Sequence, residues 1–336
     1  MDNHAISRRE FGLVAGTTGV SLMAPGQSLA ANESGGTAVG YSQGLIESPP
    51  TYYEVLEPVG GSKKAPMLLI SGGAHTGSCY LATAQGRPGW AHAFVRAGYK
   101  VVVPDWPGVG RSGYIPLDKL TGEVVVEGLG KVLGSLDRPA IVMTHSMSGA
   151  YGWKLVEKYG DRIEKVVAVA PGPPGNIQAV SEIVSETGDT VVVRSSVTLA
   201  INLKEPVVSD RNFVEVKLVG KSTQFPRDQI GLYASSLVPI PPRLLYERRN
   251  VRGSQLKVAD FSKYRAKRIL VMTGTDDVDH PRKLDESIVE WLNQNGAKAD
   301  FIYLGDRGIV GNGHMMMLEN NSDALAGVVL SWIEAA

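Results

Sequence analysis

Ser146 stands in the run Thr144-His145-Ser146-Met147-Ser148-Gly149, between a short apolar stretch, Ala140–Thr144, and a helically patterned segment, Met147–Tyr159. A serine on so sharp a strand-to-helix turn is pushed into solvent at the carboxyl edge of a sheet, with the free N–H groups of the helix start behind it. That is where a nucleophile has to sit. Strand and helix backbones nearly touch at such a turn, so the residues two before and two after must be small. Here they are Thr144 and Ser148 rather than a pair of glycines. A capping serine at a helix start shares part of this pattern. A shift of frame would offer Ser148 instead, but it would carry the strand two residues too far.

A serine hydroxyl attacks when a base removes its proton, and that base must come from a loop at the same sheet edge. His314, in Gly311-Asn312-Gly313-His314, follows the last apolar strand and precedes the last helix. Of the other histidines, His145 should point away from the site, His92 and His280 read as surface residues, and His75 could line the pocket. A carboxylate must then hold the far nitrogen of the imidazole and stabilise its charged form. The run Gly274-Thr275-Asp276-Asp277-Val278-Asp279-His280-Pro281 offers three. Asp277 is the first choice, with Asp276 and Asp279 as alternatives; at least two of the three must be turn or cap residues. The developing oxyanion needs two backbone N–H donors. Met147, next to the nucleophile, supplies one, and Gly73 in Ser71-Gly72-Gly73-Ala74-His75-Thr76-Gly77 is placed to supply the other, since glycines let a backbone approach closely.

These residues need a scaffold that brings distant loops to one edge. Thr51–Pro58 is a β-rich start, and Met67–Ser71, Lys100–Pro104, Ala140–Thr144 and Lys165–Ala170 are short apolar runs. Helical patterns at Trp90–Ala97, Glu123–Leu136 and Met147–Tyr159 separate them. Strand Ile269–Thr273, helix Arg282–Asn295, strand Asp300–Leu304 and a final helix to Ile333 resume the rhythm. Such alternation predicts a mostly parallel sheet buried on both faces by helices. Residues 172–267 break it. They hold Phe213, Phe225, Tyr233, Tyr246 and the cluster Pro239-Ile240-Pro241-Pro242, too much apolar material for a structureless loop, so this segment reads as a cap inserted between the sixth and seventh strands. The chain then divides into core residues 51–171 and 268–336 around the cap.

Ser7-Arg8-Arg9-Glu10-Phe11-Gly12-Leu13, a weakly apolar stretch to Ala24 and the small-x-small site Ser28-Leu29-Ala30 form a twin-arginine-type export signal over residues 1–30. This predicts a periplasmic or extracellular protein. Residues 31–50, rich in Asn, Ser and Gly, read as a flexible arm. In the 336-residue chain 34 Lys and Arg balance 34 Asp and Glu, which argues against nucleic acid as a partner. No apolar run reaches the roughly 18–20 residues that span a bilayer, so no integral membrane segment is expected in the mature chain. The single cysteine, Cys79, excludes an intramolecular disulfide and any cysteine-rich metal site.

Over residues 50–336 this set resembles the α/β-hydrolase superfamily, and the chain order Ser146…Asp277…His314 agrees with it. Asp105-Trp106-Pro107-Gly108-Val109-Gly110-Arg111-Ser112 resembles the superfamily's loop after the fourth strand, which is usually structural. The Gly72-x-x-x-Thr76-Gly77 loop followed by Gly89-Trp90, and the ending Gly311-Asn312-Gly313-His314-Met315-Met316-Met317 with Asn320-Asn321, are similar to a group of secreted bacterial serine esterases. Members of that group can carry the acid as a glutamate after the sixth strand. Here that place reads Val169-Ala170-Pro171-Gly172, which moves the acid to the seventh-strand loop. The resemblance implies that Ser146, deprotonated by His314, attacks an ester or lactone carbonyl through an acyl-enzyme, with no metal or organic cofactor. The apolar, aromatic cap suggests a small, moderately hydrophobic, neutral substrate. Thioesterase, peptidase and carbon–carbon bond hydrolase chemistries stay open, as does a catalytically silent binding protein. A serine at 146 disfavours dehalogenase and epoxide hydrolase chemistry, which use an aspartate.

Overall fold

The computed structural model describes residues 38–195 and 198–335. The predicted export signal, residues 1–30, lies outside them. Eight strands make the main sheet: β1 (Val39–Ile46), β2 (Thr51–Pro58), β3 (Met67–Ile70), β4 (Val101–Pro104), β5 (Ala140–His145), β6 (Ile163–Val169), β10 (Arg268–Thr273) and β11 (Lys298–Tyr303). Their spatial order is β1-β2-β4-β3-β5-β6-β10-β11. From β4 to β11 every pairing is parallel, whereas β1 and β2 run antiparallel at one edge.

The central strands are buried on both faces, which explains their unbroken apolar runs. Leu68 and Ile70 of β3 and Val142 of β5 face one core, shared with Leu129 of α2 (Gly122–Ser135), Trp153 of α3 (Gly149–Tyr159) and Leu292 of α7 (Arg282–Gln294). Met67 and Leu69 of β3 and Met143 of β5 face the other, shared with Phe94 of α1 (Trp90–Arg96) and Val329 of α8 (Ser322–Glu334). Period-two alternation is thus present within each strand but divides between two apolar layers.

Residues 39–46, expected as part of a flexible arm over 31–50, instead form β1, paired with β2 from Val39↔Pro58 to Ile46↔Thr51. The strand is exposed along most of its length and buries no face, so its sequence carries no apolar alternation to read. Backbone pairing defines it, helped by side-chain bonds to β2 from Tyr41 OH to Glu54 and from Tyr52 OH to Gln43.

The insertion between β6 and β10 is structured. Three strands, β7 (Glu182–Thr187), β8 (Thr190–Arg194) and β9 (Thr198–Asn202), form an antiparallel meander. After it come a short helix α4 (Arg211–Phe213) that widens into a π-type turn over Val214–Val219, then α5 (Ile230–Ser235) and α6 (Pro242–Arg248). Main-chain bonds fasten this cap to the core loops: Val238 N–H donates to Ala74 O at 2.9 Å, and Thr223 N–H to Gly311 O at 3.0 Å.

Candidate active site

β5 ends at His145, and the chain turns through Ser146–Ser148 into α3. Ser146 takes φ +53°, a left-handed conformation that costs a non-glycine residue energy and survives where its surroundings impose it. Thr144 is accommodated because α3 offers Gly152 opposite it. A Cβ on Gly152 would stand 2.7 Å from Thr144 Cγ2. The glycine missing from the strand side of the turn has in effect been transferred to the helix. The Ser148 hydroxyl is tied down within the turn. It is buried and accepts from His145 N–H at 2.9 Å, and its proton is directed to Ile70 O at 3.1 Å or His145 O at 2.9 Å.

His314 Nε2 lies 2.8 Å from Ser146 Oγ, and His314 Nδ1 lies 2.8 Å from Asp277 Oδ2. A carboxylate only accepts, so Nδ1 carries the proton and Nε2 faces the serine hydroxyl as an acceptor. Asp277 Oδ1 accepts from the N–H groups of Asp279, at 2.9 Å, and His280, at 3.1 Å. Burial pushes the Asp277 pKa up. The charge and hydrogen bond of His314, then the charge of His280, outweigh burial and hold the carboxyl below its ordinary range. Asp276 donates its N–H to Asn312 O, and Asp279 pairs with Lys217 of the cap at 2.9 Å. Of the three candidates, Asp277 is the one hydrogen-bonded to His314.

The histidine loop is held by a residue that the sequence did not single out. Glu319 is fully buried and accepts from Gly313 N–H at 2.7 Å, Asn312 Nδ2 at 2.6 Å and Ser222 Oγ at 2.5 Å. Burial raises its pKa against those bonds. His280, expected at the surface, is buried instead. Its Nδ1 bonds Asp285 Oδ1 at 3.0 Å, and its ring stacks on that of His314 at 5.3 Å and 19°. Burial would lower the His280 pKa, but the charge and bond of Asp285 raise it overall. The five-residue spacing to an acid in the first turn of α7 was the signal that could have revealed this pair. His145 does not point away. Its Nε2 donates to His314 O at 2.9 Å, and burial holds its pKa far below the ordinary imidazole value, so the ring is neutral.

Gly73 and Met147 both line the cavity that Ser146 and His314 enter. The Gly73 carbonyl is taken by His75 Nδ1 at 2.7 Å and the Ala74 carbonyl by Val238 N–H at 2.9 Å, which occupies two of this loop's acceptors. Met147 lies in the first turn of a helix, where N–H groups have no acceptor within the helix. A Cβ on Gly73 would come within 2.9 Å of Met147 Sδ, so a side chain there would press on the Met147 side chain. His75 lines a neighbouring cavity with Cys79 and Tyr233 and bonds Tyr233 OH at 2.8 Å; His92 is half-buried on α1. Asp105 accepts from Gly77 N–H and Arg111 N–H, both at 2.9 Å, and so ties the β3 and β4 loops together.

The cavity measures about 480 Å³. Its cap wall presents Leu199, Val207, Phe213, Val216 and Ile240, the apolar lining expected, and also Lys217, Arg248 and Arg249, which were not expected. Among the described residues no group of three or more His, Cys, Asp or Glu could hold a metal ion, and no helix is long and apolar enough to cross a membrane.

The sequence profile of the alpha/beta hydrolase family matches residues 67–328. The chain belongs to that family. It is similar to a protein named "Probable secreted lipase phiG" from Fungal sp. (strain ATCC 74256), at 25% identity over 89% of each chain. A 2-hydroxy-6-oxo-6-phenylhexa-2,4-dienoate hydrolase from Burkholderia cepacia is 32% identical over 34% of this chain and 39% of its own length. Among solved structures, one described as a novel bacterial esterase superposes with TM-score 0.54 at 18% identity, over 91% of this chain and 98% of that one, a likeness of fold.

Proposed function

We propose that this family member is a serine hydrolase that cleaves a carboxylic ester or lactone of a small, moderately hydrophobic substrate through an acyl-enzyme on Ser146. The observation that carries the reading is the continuous relay from Ser146 Oγ through His314 to Asp277, two contacts of 2.8 Å each. His314 Nε2 takes the serine proton as Oγ bonds to the carbonyl carbon, and Asp277 stabilises the imidazolium formed. The carbonyl oxygen, now an oxyanion, receives the N–H groups of Gly73 and Met147, each worth about 3–4 kcal/mol in the transition state. The tetrahedral centre collapses, the ester C–O bond breaks, and His314 returns its proton to the departing alcohol. Water then repeats the sequence: His314 takes one of its protons, the hydroxyl adds to the acyl carbon, and Ser146 leaves with its hydrogen restored.

The relative whose name includes a secreted lipase, similar over most of this chain, supports the ester reading and export. In this reading residues 1–30 are removed and the mature enzyme works outside the cytoplasm. A second reading, carbon–carbon bond hydrolysis, is favoured by the local match to the dienoate hydrolase. Turnover of p-nitrophenyl butyrate by purified protein tests the proposal. A burst of p-nitrophenol equal to the enzyme concentration, or steady turnover lost in Ser146→Ala, is expected; hydrolysis of a dienoate with none of any ester would favour the second reading.

A further inference from the structure

The cavity's cap wall is unevenly charged. Lys217, Arg248, Arg249, Asp210 and Asp279 all line it; Lys217 pairs with Asp279 at 2.9 Å, and Asp210 caps α4 by accepting from Phe213 N–H at 2.7 Å. That leaves the guanidinium groups of two consecutive residues, Arg248 and Arg249, with no carboxylate within ion-pair distance among the described residues. Arg249 Nη1 reaches Ser195 Oγ at 3.3 Å, while the side chain of Arg248 donates to no protein group among them. Their backbones are fixed at the end of α6: Gln178 Nε2 donates to Arg248 O at 2.8 Å and Ser181 Oγ to Arg249 O at 2.6 Å. Neither arginine can therefore swing away from its neighbour by a shift of the chain.

Arg248 also packs near the turn that carries Ser146, and both residues line the cavity. A Cβ placed on Gly172 would be 3.2 Å from the Ser146 carbonyl oxygen and 3.3 Å from Arg248 Nε, so one small group would touch both. Burial, and then the charge of Arg249, lower the Arg248 pKa to about 10. Both side chains are half-buried in the cavity wall, and holding two like charges there is costly unless an anion joins them. Guanidinium groups match the two oxygens of a carboxylate.

We infer that Arg248 and Arg249 form a carboxylate subsite, and that the preferred substrate is an ester carrying a second, anionic carboxylate within reach of the scissile bond. The inference rests on the ester-hydrolase reading and replaces the neutral substrate suggested by the cap's composition. The carboxylate could belong to the acyl half or to the alcohol half of the ester. Both place the same chemistry on the same two residues.

Two isosteric pairs separate these cases. The mono-p-nitrophenyl ester of glutaric acid against p-nitrophenyl hexanoate places the charge on the acyl side. The butyrate ester of 4-hydroxybenzoate against that of 4-hydroxybenzamide places it on the alcohol side. In the wild type at least one anionic ester should exceed its neutral counterpart at least tenfold in kcat/KM, mainly through KM. Each of R248Q and R249Q should lower that ratio at least tenfold, and R248K should keep it above one. Because the ratio is taken within a single preparation, a partly misfolded variant does not distort it. Neutral esters equalling or beating both anionic ones in the wild type would overturn the inference, as would a preference that survives R248Q and R249Q together. If no ester is hydrolysed, the catalytic reading fails separately, and calorimetry with the S146A protein still decides the subsite. Glutarate or 4-hydroxybenzoate binding more tightly than its amide, with that difference lost in R248Q, supports it; equal binding of acid and amide overturns it.

Discussion

On the sheet side of the cavity the groups placed for chemistry are bonded to one another and to the loops that carry them. Ser146, His314 and Asp277 form one chain, Ser148 ties the turn to β3, and Glu319 ties the histidine loop to the cap. On the cap side the wall is mostly apolar, and Arg248 and Arg249 have no carboxylate within ion-pair distance among the described residues. The difference separates two tasks. Chemistry requires groups held in one geometry before the substrate arrives, so their bonds are satisfied in advance. Selection requires groups left incomplete for the substrate to complete.

Substitutions on the sheet side should be the more damaging to turnover. Ser146→Ala or His314→Ala should lower kcat on the order of 10⁴–10⁶-fold, read as steady-state ester hydrolysis. Ser148→Ala should keep most activity and lose about 1 kcal/mol of stability in denaturant titration, since it removes hydrogen bonds and no catalytic group. Next in size is Asp277→Asn, which should cost about 10⁴-fold in kcat by disturbing the His314 tautomer. Asp276→Asn should cost far less, and the reverse order would move the acid.

Asp277 also yields a pH signature. Its folded pKa is depressed, so its contribution to stability is present above the ordinary carboxylate value, about 3.9, and is lost as pH falls through the lower folded value. The stability gap between wild type and Asp277→Asn, measured by urea unfolding, should therefore narrow as pH falls below about 4. Glu319→Gln replaces an acceptor of three bonds by one that can no longer take all of them. It should cost about 1–3 kcal/mol and reduce kcat more than KM, because it loosens the loop that carries His314. A packing change that leaves the catalytic groups in place sharpens the account of the turn. Gly152→Ala should destabilise by about 1–3 kcal/mol through overpacking against Thr144, and adding Thr144→Ala should recover much of that loss.

Legibility followed the same division. The sheet, its helices and the positions of Ser146 and His314 could be read because strands buried on both faces give unbroken apolar runs and because a nucleophile turn has a fixed chain geometry. Asp277 was one of three choices, and its contact with His314 distinguishes it. β1 was missed for want of a buried face. His280 and Glu319 were missed because each is buried only through tertiary partners, Asp285 in one case and Ser222, Asn312 and Gly313 in the other. The cap's arginines were equally hidden, since no periodicity marks a charged side chain that turns inward.

The central claim is that Ser146 is the acylated residue. Treating the purified protein with a fluorophosphonate and mapping the adduct by peptide mass spectrometry tests it most directly. The account predicts stoichiometric modification of Ser146, loss of ester turnover in proportion, and no adduct in Ser146→Ala. An adduct on Ser148, or full inactivation with Ser146 unmodified, would contradict it.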